Sequence, residues 1–426
     1  MKRRNFLLAS TGLLLGGWLL KPNDKGAPHS DYFSHLNTVL RENRIARPLL
    51  ILDREKLKQN CTTLIQNIAP NKNFRIVAKS LPSIPLLGEI MSLTHTHRIM
   101  TFHQPFTNAV ALAYPQSDIL LGKPLPVDAA ENFYLLHPTQ SNFIPDLQLQ
   151  WLIDSAERLH QYLALAQKLD KKLQINIELD VGLHRGGLKT FEQLNECLTL
   201  ISQHSKYLRF SGFMGYDAHV GKLPSFIESA DTSLRKAQMV YAGFIDHLRN
   251  QFSALYHDEL TFNGAGSPTF FLHDERSPLN ELSAGSCLVK PTDFDLPSLS
   301  QFVPAVFIAS PIIKSQPGVE IPGPLPIGDA WALWDVNRRH TFFIYGGNWL
   351  AKPESPAGMQ RNSLYGVSSN QMMFNESAAY GLQANDFVFF RPTQSESVLL
   401  QFGDIAALDA DGIVNWWAPL EQGHGY

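Results

Sequence analysis

A lysine suited to covalent chemistry follows the apolar run Arg75–Ala78 in the segment RIVAKS. The run is typical of a β-strand, so Lys79 is expected at the carboxyl end of that strand. Partial burial at such a place lowers the pKa of a lysine and supplies the free amine that Schiff-base formation requires. A surface lysine that begins a loop would have the same local sequence, so the prediction depends on the other segments below.

An arginine held between glycines follows a second strand-like run, Ile175–Leu179. Glu178 and Asp180 alternate with apolar residues at its end, and the next turn, GLHRGG, contains Arg185. A guanidinium fixed at a strand end can bind an anionic or phenolic oxygen. A solvated turn with a surface salt bridge is the alternative interpretation.

Three side chains that can donate or accept protons follow the buried run Phe210–Met214. They are Tyr216, Asp217 and His219, within the segment GYDAHVG. A single histidine is usually structural, whereas this density after a buried strand indicates a functional site. His219 is therefore a candidate proton acceptor.

A turn rich in glycine and hydroxyl side chains follows the run Leu260–Phe262, in the segment NGAGSPT. Gly264, Gly266 and Ser267 are the candidates for holding a phosphate group through backbone N–H groups and a hydroxyl. Glycine turns are common, so this segment alone indicates little.

The elements that must position these residues alternate between strand and helix. Helical patterns separate most of the eight strand-like runs, which are Leu49–Leu52, Arg75–Ala78, Ile99–Thr101, Asp118–Leu121, Leu149–Ile153, Ile175–Leu179, Phe210–Met214 and Leu260–Phe262. This alternation predicts a (β/α)₈ TIM-type barrel over residues 46–295, although a doubly wound sheet would alternate in the same way. After residue 295 the runs, among them Ala330–Val336, are strand-like and separated by Pro, Gly and Asn, which predicts an all-β C-terminal domain over 296–426.

The composition excludes several classes of protein. A net charge of −3 argues against a nucleic-acid-binding protein, and a charged fraction of 18% with 44% hydrophobic residues argues against disorder. The three cysteines, Cys61, Cys197 and Cys287, have neither metal-finger spacing nor the density of a disulfide framework. A single disulfide among them stays open.

The first twenty residues have the pattern of an export signal. Lys2, Arg3 and Arg4 precede an apolar run from Phe6 to Leu20 that is too short for a typical membrane span. The paired arginines resemble a twin-arginine signal, which predicts a signal segment over residues 1–26, recognition by the twin-arginine export machinery and a periplasmic protein. An ordinary secretory signal and an uncleaved membrane anchor are the alternatives.

The order of these segments resembles pyridoxal-phosphate enzymes with an alanine-racemase-like barrel, closest to the D-threonine aldolase and D-serine dehydratase branch. The resemblance includes the lysine, the arginine turn, the Tyr-x-x-His segment and the glycine-rich turn before ELSAGS, and it spans roughly residues 46–420. It implies that Lys79 carries pyridoxal 5′-phosphate and that Arg185 contacts the phenolic oxygen of the cofactor. It implies further that Tyr216, Gly264, Gly266 and Ser267 line the phosphate pocket, and that the chain binds a small amino-acid substrate and can form a head-to-tail homodimer.

The sequence departs from this branch at its metal site. The branch carries P-x-H-x-D or P-x-H-x-C near its end, where this chain has RPTQSES and places Gln394 and Glu396 at the ligand positions. An amide oxygen is a poor replacement for imidazole, so the sequence predicts no tightly bound transition metal, and the two residues are weak candidates.

Three functions remain compatible with these residues. The first is a D-threonine-aldolase-like lyase of D-3-hydroxy amino acids, with Lys79 and His219 as catalytic residues. The second is an amino-acid racemase or epimerase, for which His219 or Tyr216 would be the second base. The third is a non-catalytic protein of the same fold that binds the cofactor or another ligand.

Overall fold

The computed structural model describes residues 21–222, 226, 228–320, 327–362, 364–377, 381–409 and 412–422. Most of the predicted export signal, residues 1–20, lies outside them. Within the described ranges, no helix is both long and apolar enough to cross a bilayer. The chain divides into two compact units, each described by itself below.

Ten helices and seventeen strands occur in the described residues. The helices are α1 (Asp31–Glu42), α2 (Arg54–Gln66), α3 (Ile84–Thr94), α4 (Gln104–Ala113), α5 (Val127–Leu136), α6 (Pro145–Gln148), α7 (Ala156–Leu169), α8 (Phe191–Gln203), α9 (Ala230–Gln251) and α10 (Ile327–Trp334). The strands are β1 (Leu49–Asp53), β2 (Asn73–Val77), β3 (Arg98–Thr101), β4 (Asp118–Leu121), β5 (Leu149–Ile153), β6 (Leu173–Glu178), β7 (Leu208–Gly215), β8 (Thr261–Gly264), β9 (Glu281–Ala284), β10 (Val306–Pro317), β11 (His340–Tyr345), β12 (Ala351–Ser355), β13 (Gln360–Arg361), β14 (Gln371–Glu376), β15 (Phe387–Pro392), β16 (Ile405–Asp409) and β17 (Gly412–Trp417).

The barrel unit comprises Arg54–Ala305, Ser395–Gly403 and Trp417–Tyr426. Strands β2 to β9 are parallel and close on themselves, since β2 pairs with both β3 and β9. Helices alternate with most of the strands, so the predicted TIM-type fold is confirmed. Gly212 shows how closely β7 and β8 approach, because a Cβ atom there would lie 1.9 Å from the Thr261 carbonyl oxygen.

A charged network fills the end of the barrel where the strands begin. Arg75 is fully buried, and its guanidinium donates to Glu281 at 2.5 and 2.9 Å and to Asp118 at 3.0 Å. Arg98 donates to Glu281 at 2.8 Å. Burial alone lowers the pKa of Arg75, but the carboxylates of Asp118 and Glu281 raise it above its usual value. The guanidinium therefore stays charged and links strands β2, β4 and β9.

The sheet unit comprises Met1–Asp53, Val306–Gln394 and Asp404–Trp416. Its nine strands follow the order β13-β14-β11-β10-β1-β16-β17, with β15 paired to β10 and β12. Its core combines residues from α1, β1 and the C-terminal strands: Leu36, Leu40, Leu49, Ile51, Ala309, Phe387, Phe389, Ala406 and Leu408.

Two of the predicted strands differ in the structure. The run Leu49–Leu52 is a strand, but it pairs with β10 and β16 of the sheet, so its placement as the first barrel strand is wrong. The barrel is instead completed by Glu281–Ala284, whose polar side chains concealed it. The run Ala330–Val336 was expected as a strand and lies largely in helix α10, because a short apolar run fits either element.

The three cysteines are buried and form no disulfide with one another. Burial raises the pKa of each thiol to about 12. They therefore pack as small apolar residues and are poor nucleophiles.

Candidate active site

Lys79 lies at the carboxyl end of the first barrel strand. Strand β2 ends at Val77, and a single 3₁₀ turn, Ala78–Ser80, presents the lysine. Its side chain is 47% exposed, with Nζ 3.7 Å from Oε1 of Glu396 and 5.0 Å from the ring centroid of Phe102. The amine is therefore accessible and has a carboxylate and an aromatic ring as neighbours.

Glu396 is held beside this lysine by a pair of serines. Ser80 Oγ donates to Glu396 Oε1 at 2.8 Å, and Ser286 Oγ donates to Ser80 Oγ at 2.9 Å. The sequence had paired Glu396 with Gln394 as a weak metal site. Gln394 is exposed and belongs to the sheet unit, whereas Glu396 belongs to the barrel unit.

The turn that carries Arg185 is organised by Asp180. The buried carboxylate accepts the backbone N–H groups of Gly182 at 3.1 Å and His184 at 2.9 Å, and also contacts His184 Nδ1 at 2.9 Å. Burial raises the pKa of Asp180, but these hydrogen bonds outweigh it and leave the pKa below its usual value. The charged carboxylate thus fixes the turn, and the Arg185 guanidinium lies 5.2 Å from the ring centroid of Tyr216.

Tyr216 lies against the glycine-rich turn that follows strand β8. A Cβ atom at Gly266 would be 2.7 Å from Cε2 of Tyr216, so glycine is needed for this approach. Burial raises the pKa of Tyr216, and Asp217 raises it further. The phenol is therefore protonated at neutral pH and can donate a hydrogen bond. Gly264 ends β8 and packs closely against Leu279 and the Gly215 carbonyl oxygen, and its place in the phosphate pocket stays a prediction.

Ser267 connects this turn to the segment after β9. Its Oγ accepts backbone N–H groups from Gly285 at 3.2 Å and Cys287 at 3.1 Å. Both lone pairs are therefore used, and the hydroxyl keeps its own hydrogen for donation. Gly285 approaches the lysine turn so closely that a Cβ atom would lie 2.7 Å from the Val77 carbonyl oxygen.

His219 lies close to the arginine turn. A Cβ atom at Gly182 would be 2.8 Å from Nε2 of His219. Its Nδ1 is buried and has no hydrogen-bond partner within the described part of the chain. Burial lowers the pKa of His219, so the imidazole is neutral at pH 7 and can accept a proton.

Sequence reasoning missed a buried pair behind the site, Asp217 and His273. His273 Nε2 lies 2.7 Å from Asp217 Oδ2, and Thr269 Oγ1 donates to Asp217 Oδ1 at 2.7 Å. Asp217 stood out only as a neighbour of Tyr216, and His273 follows an apolar stretch in SPTFFLH with no local signal. Only the closed barrel brings the two together.

The residues present fit a phosphate-bearing aromatic aldehyde. Lys79 supplies the amine, Arg185 a cation, and Tyr216 and Ser267 hydroxyl donors. Gly266 lets Tyr216, and Gly285 lets the lysine turn, approach the glycine-rich segments closely. In the ranges that the structure describes, no group of three or more His, Cys, Asp and Glu side chains is arranged to hold a metal ion.

The barrel segment matches a known protein family. The family profile described as "Alanine racemase, N-terminal domain" matches residues 52–293. A search of curated protein sequences finds no match.

Three solved structures show the same fold. D-threonine aldolase from Filomicrobium marinum has 15% sequence identity and a TM-score of 0.64, over 88% of this chain and 96% of that one. D-threo-3-hydroxyaspartate dehydratase from Delftia sp. HT23 has 16% identity and a TM-score of 0.66, over 89% and 98%. Alanine racemase from Bacillus anthracis has 12% identity and a TM-score of 0.65, over 88% and 98%.

Proposed function

This chain belongs to the alanine racemase N-terminal domain family, whose enzymes use pyridoxal 5′-phosphate, and from this premise we propose that it is a lyase of D-3-hydroxy amino acids. The observation that carries the proposal is the position of Lys79, an accessible amine at a barrel strand end. Hydrogen bonds through Ser80, Ser286 and Gly285 connect the turn that carries Lys79 to the turn of Ser267. Two of the three similar structures, an aldolase and a dehydratase, have names that indicate 3-hydroxy substrates.

Different residues of this chain would bind different groups of the cofactor. Lys79 would hold the cofactor covalently, and Arg185 would bind its phenolic oxygen. The phosphate would accept hydrogen bonds from the Tyr216 hydroxyl and from the hydroxyl and backbone N–H of Ser267, in the turn at Gly266. Once bound, pyridoxal phosphate supplies an electron sink that stabilises negative charge at the substrate α-carbon.

Proton transfer would fall to side chains close to the substrate. His219 is neutral at pH 7 and would accept the proton of the substrate 3-hydroxyl during carbon–carbon cleavage. Lys79 would exchange a proton at the α-carbon. Glu396, 3.7 Å from Lys79 Nζ, would keep that amine oriented.

Racemisation is the second candidate, and one observation favours it. A racemase needs a base on each face of the α-carbon, and the site offers Lys79 at one strand end and the neutral His219 after another. A metal ion is not required for that reaction.

The decisive experiment is the visible spectrum of the purified protein, followed by borohydride reduction and peptide mapping. We expect a yellow protein whose reduced label maps to Lys79, and a folded Lys79→Ala variant that does not hold the cofactor covalently. A label on another lysine would reject the assignment. The product from a D-3-hydroxy amino acid then separates the reactions: an aldehyde indicates aldol cleavage, a 2-oxo acid dehydration, and the L-isomer racemisation.

We further propose that the protein is exported to the periplasm through the twin-arginine machinery. The pattern around Arg3 and Arg4 supports this, together with a cofactor that is acquired in the cytoplasm and therefore requires a folded precursor.

A further inference from the structure

The Asp217–His273 pair lies directly behind the turn that would hold the phosphate. Each side chain is only 3% exposed, so neither can touch a substrate. Asp217 directly follows Tyr216 in the chain. A buried carboxylate is costly unless every oxygen is paired, and here both oxygens are engaged.

Thr269 transmits the position of this carboxylate to the turn. Its hydroxyl donates to Asp217 Oδ1 at 2.7 Å and accepts the backbone N–H of Gly266 at 3.0 Å. A threonine hydroxyl has a single hydrogen, so donating to the carboxylate directs a lone pair at Gly266. The Gly266 carbonyl oxygen, at 3.5 Å, is a much more distant acceptor for the same hydrogen.

The far end of the arrangement is also fixed. His273 Nδ1 lies 2.9 Å from Ser277 Oγ and 3.4 Å from Gln238 Nε2. The end of β7 is thereby joined to the whole segment from Gly266 to Ser277. The backbone of the turn is set by these bonds before any ligand arrives.

We propose that Asp217, Thr269 and His273 are positioning residues that set the Gly266–Ser267 turn for phosphate and so make the site select pyridoxal phosphate over pyridoxal. The inference rests on the proposed function, because it takes the cofactor phosphate to lie at that turn. The network acts on the phosphate alone and leaves the contacts to the aldehyde and the ring unaffected. The affinity ratio of the two aldehydes is therefore the quantity that this network controls.

The test uses two substitutions at one position. Thr269→Val keeps the shape and removes the hydroxyl, whereas Thr269→Ser keeps the hydroxyl. Apo-protein is titrated with pyridoxal 5′-phosphate and, separately, with pyridoxal, following absorbance, and the melting temperature is recorded. We expect Thr269→Val to reduce the preference for the phosphorylated aldehyde about tenfold or more, as the loss of a charge-assisted hydrogen bond implies, while Thr269→Ser keeps it within about threefold.

Asp217→Asn provides a second variant with the same expected loss of preference. Thr261→Val is the control, because Thr261 is buried on the same strand β8 and accepts a hydrogen bond from Gln150 at 3.1 Å away from the turn. This control variant should weaken the binding of both aldehydes equally or leave both unchanged, so that the preference between them stays the same.

The outcomes separate this inference from the proposed function. An unchanged preference in Thr269→Val, or an equal loss of preference in Thr269→Ser, overturns the positioning role while the cofactor assignment stands. A wild-type protein that binds the two aldehydes equally overturns both.

Discussion

Replacing Arg75 by methionine should destabilise the barrel more than any surface change. The substitution keeps a similar volume but leaves Glu281, which is 1% exposed, without its closest cation. Removing one partner of a buried ion pair costs about 3–5 kcal/mol. Because Arg98 and Asn263 still donate to Glu281 at 2.8 Å, we expect the lower end, about 3 kcal/mol.

This loss should appear as a lower melting temperature. For a unit of this size each kcal/mol corresponds to about 2–4 °C, so the shift should be about 6–12 °C by scanning calorimetry or circular dichroism. Arg75→Lys should lose less, because it keeps the charge but not the two-pronged contact. The matched control is Arg276→Met, in which a 90% exposed side chain paired with Asp274 is removed and the melting temperature should stay close to that of the wild type.

The reasoning fails if Arg75→Met melts within about 2 °C of the wild type. Such a result would mean that the protein accommodates the Glu281 carboxylate at little cost without its closest cation. An unexpectedly large shift in Arg276→Met would show instead that the melting temperature does not distinguish buried from exposed ion pairs in this chain.

Three further predictions concern the site and its export. Since burial lowers the pKa of His219, its base form should persist as the pH falls through 6.5, and the acid limb of kcat should lie below pH 6.5. His219→Gln should lose about 10²–10⁴-fold in kcat. An acid limb that is unchanged in this variant would exclude His219 as the base. Residue 394 offers only an amide, and Glu396 is held beside the lysine, so elemental analysis should find no stoichiometric zinc or manganese and a chelator should leave the activity intact. Activity that a chelator removes and manganese restores would contradict this prediction. Replacing Arg3 and Arg4 by lysine should retain the precursor in the cytoplasm, and normal periplasmic appearance in fractionation would indicate another export route.

The barrel could be predicted from alternation, but its closing strand could not. Leu49–Asp53 and the true barrel strands are equally apolar, so pattern alone assigns them to the same sheet. Glu281–Ala284 shows polar residues at alternate positions because Glu281 and Ser283 point into the polar barrel interior. That alternation of polar residues is explained only by Arg75 and Arg98, which contact Glu281 and lie far from it in the sequence.

The candidate site could likewise be predicted only in part. Lys79, Arg185 and Tyr216 could be found because each follows a strand in a segment with an unusual composition. The contact between Lys79 and Glu396 could not be found, since it joins the first barrel strand to a short segment that returns to the barrel unit from the C-terminal region. The buried partner His273 was hidden for the same reason.

Strand β1 has a consequence for how the chain is made. Its partners are synthesised long after it, because Leu49 pairs with Ala309 and Ile51 with Ala406. The sheet unit therefore cannot form before Ile405–Asp409 has been synthesised, and the apolar strand β1 keeps unpaired edges while the barrel segment is made. Protection of the nascent chain by chaperones is needed most while the barrel segment is being synthesised. A premature stop before residue 405 would leave β1 without its parallel neighbour, β16.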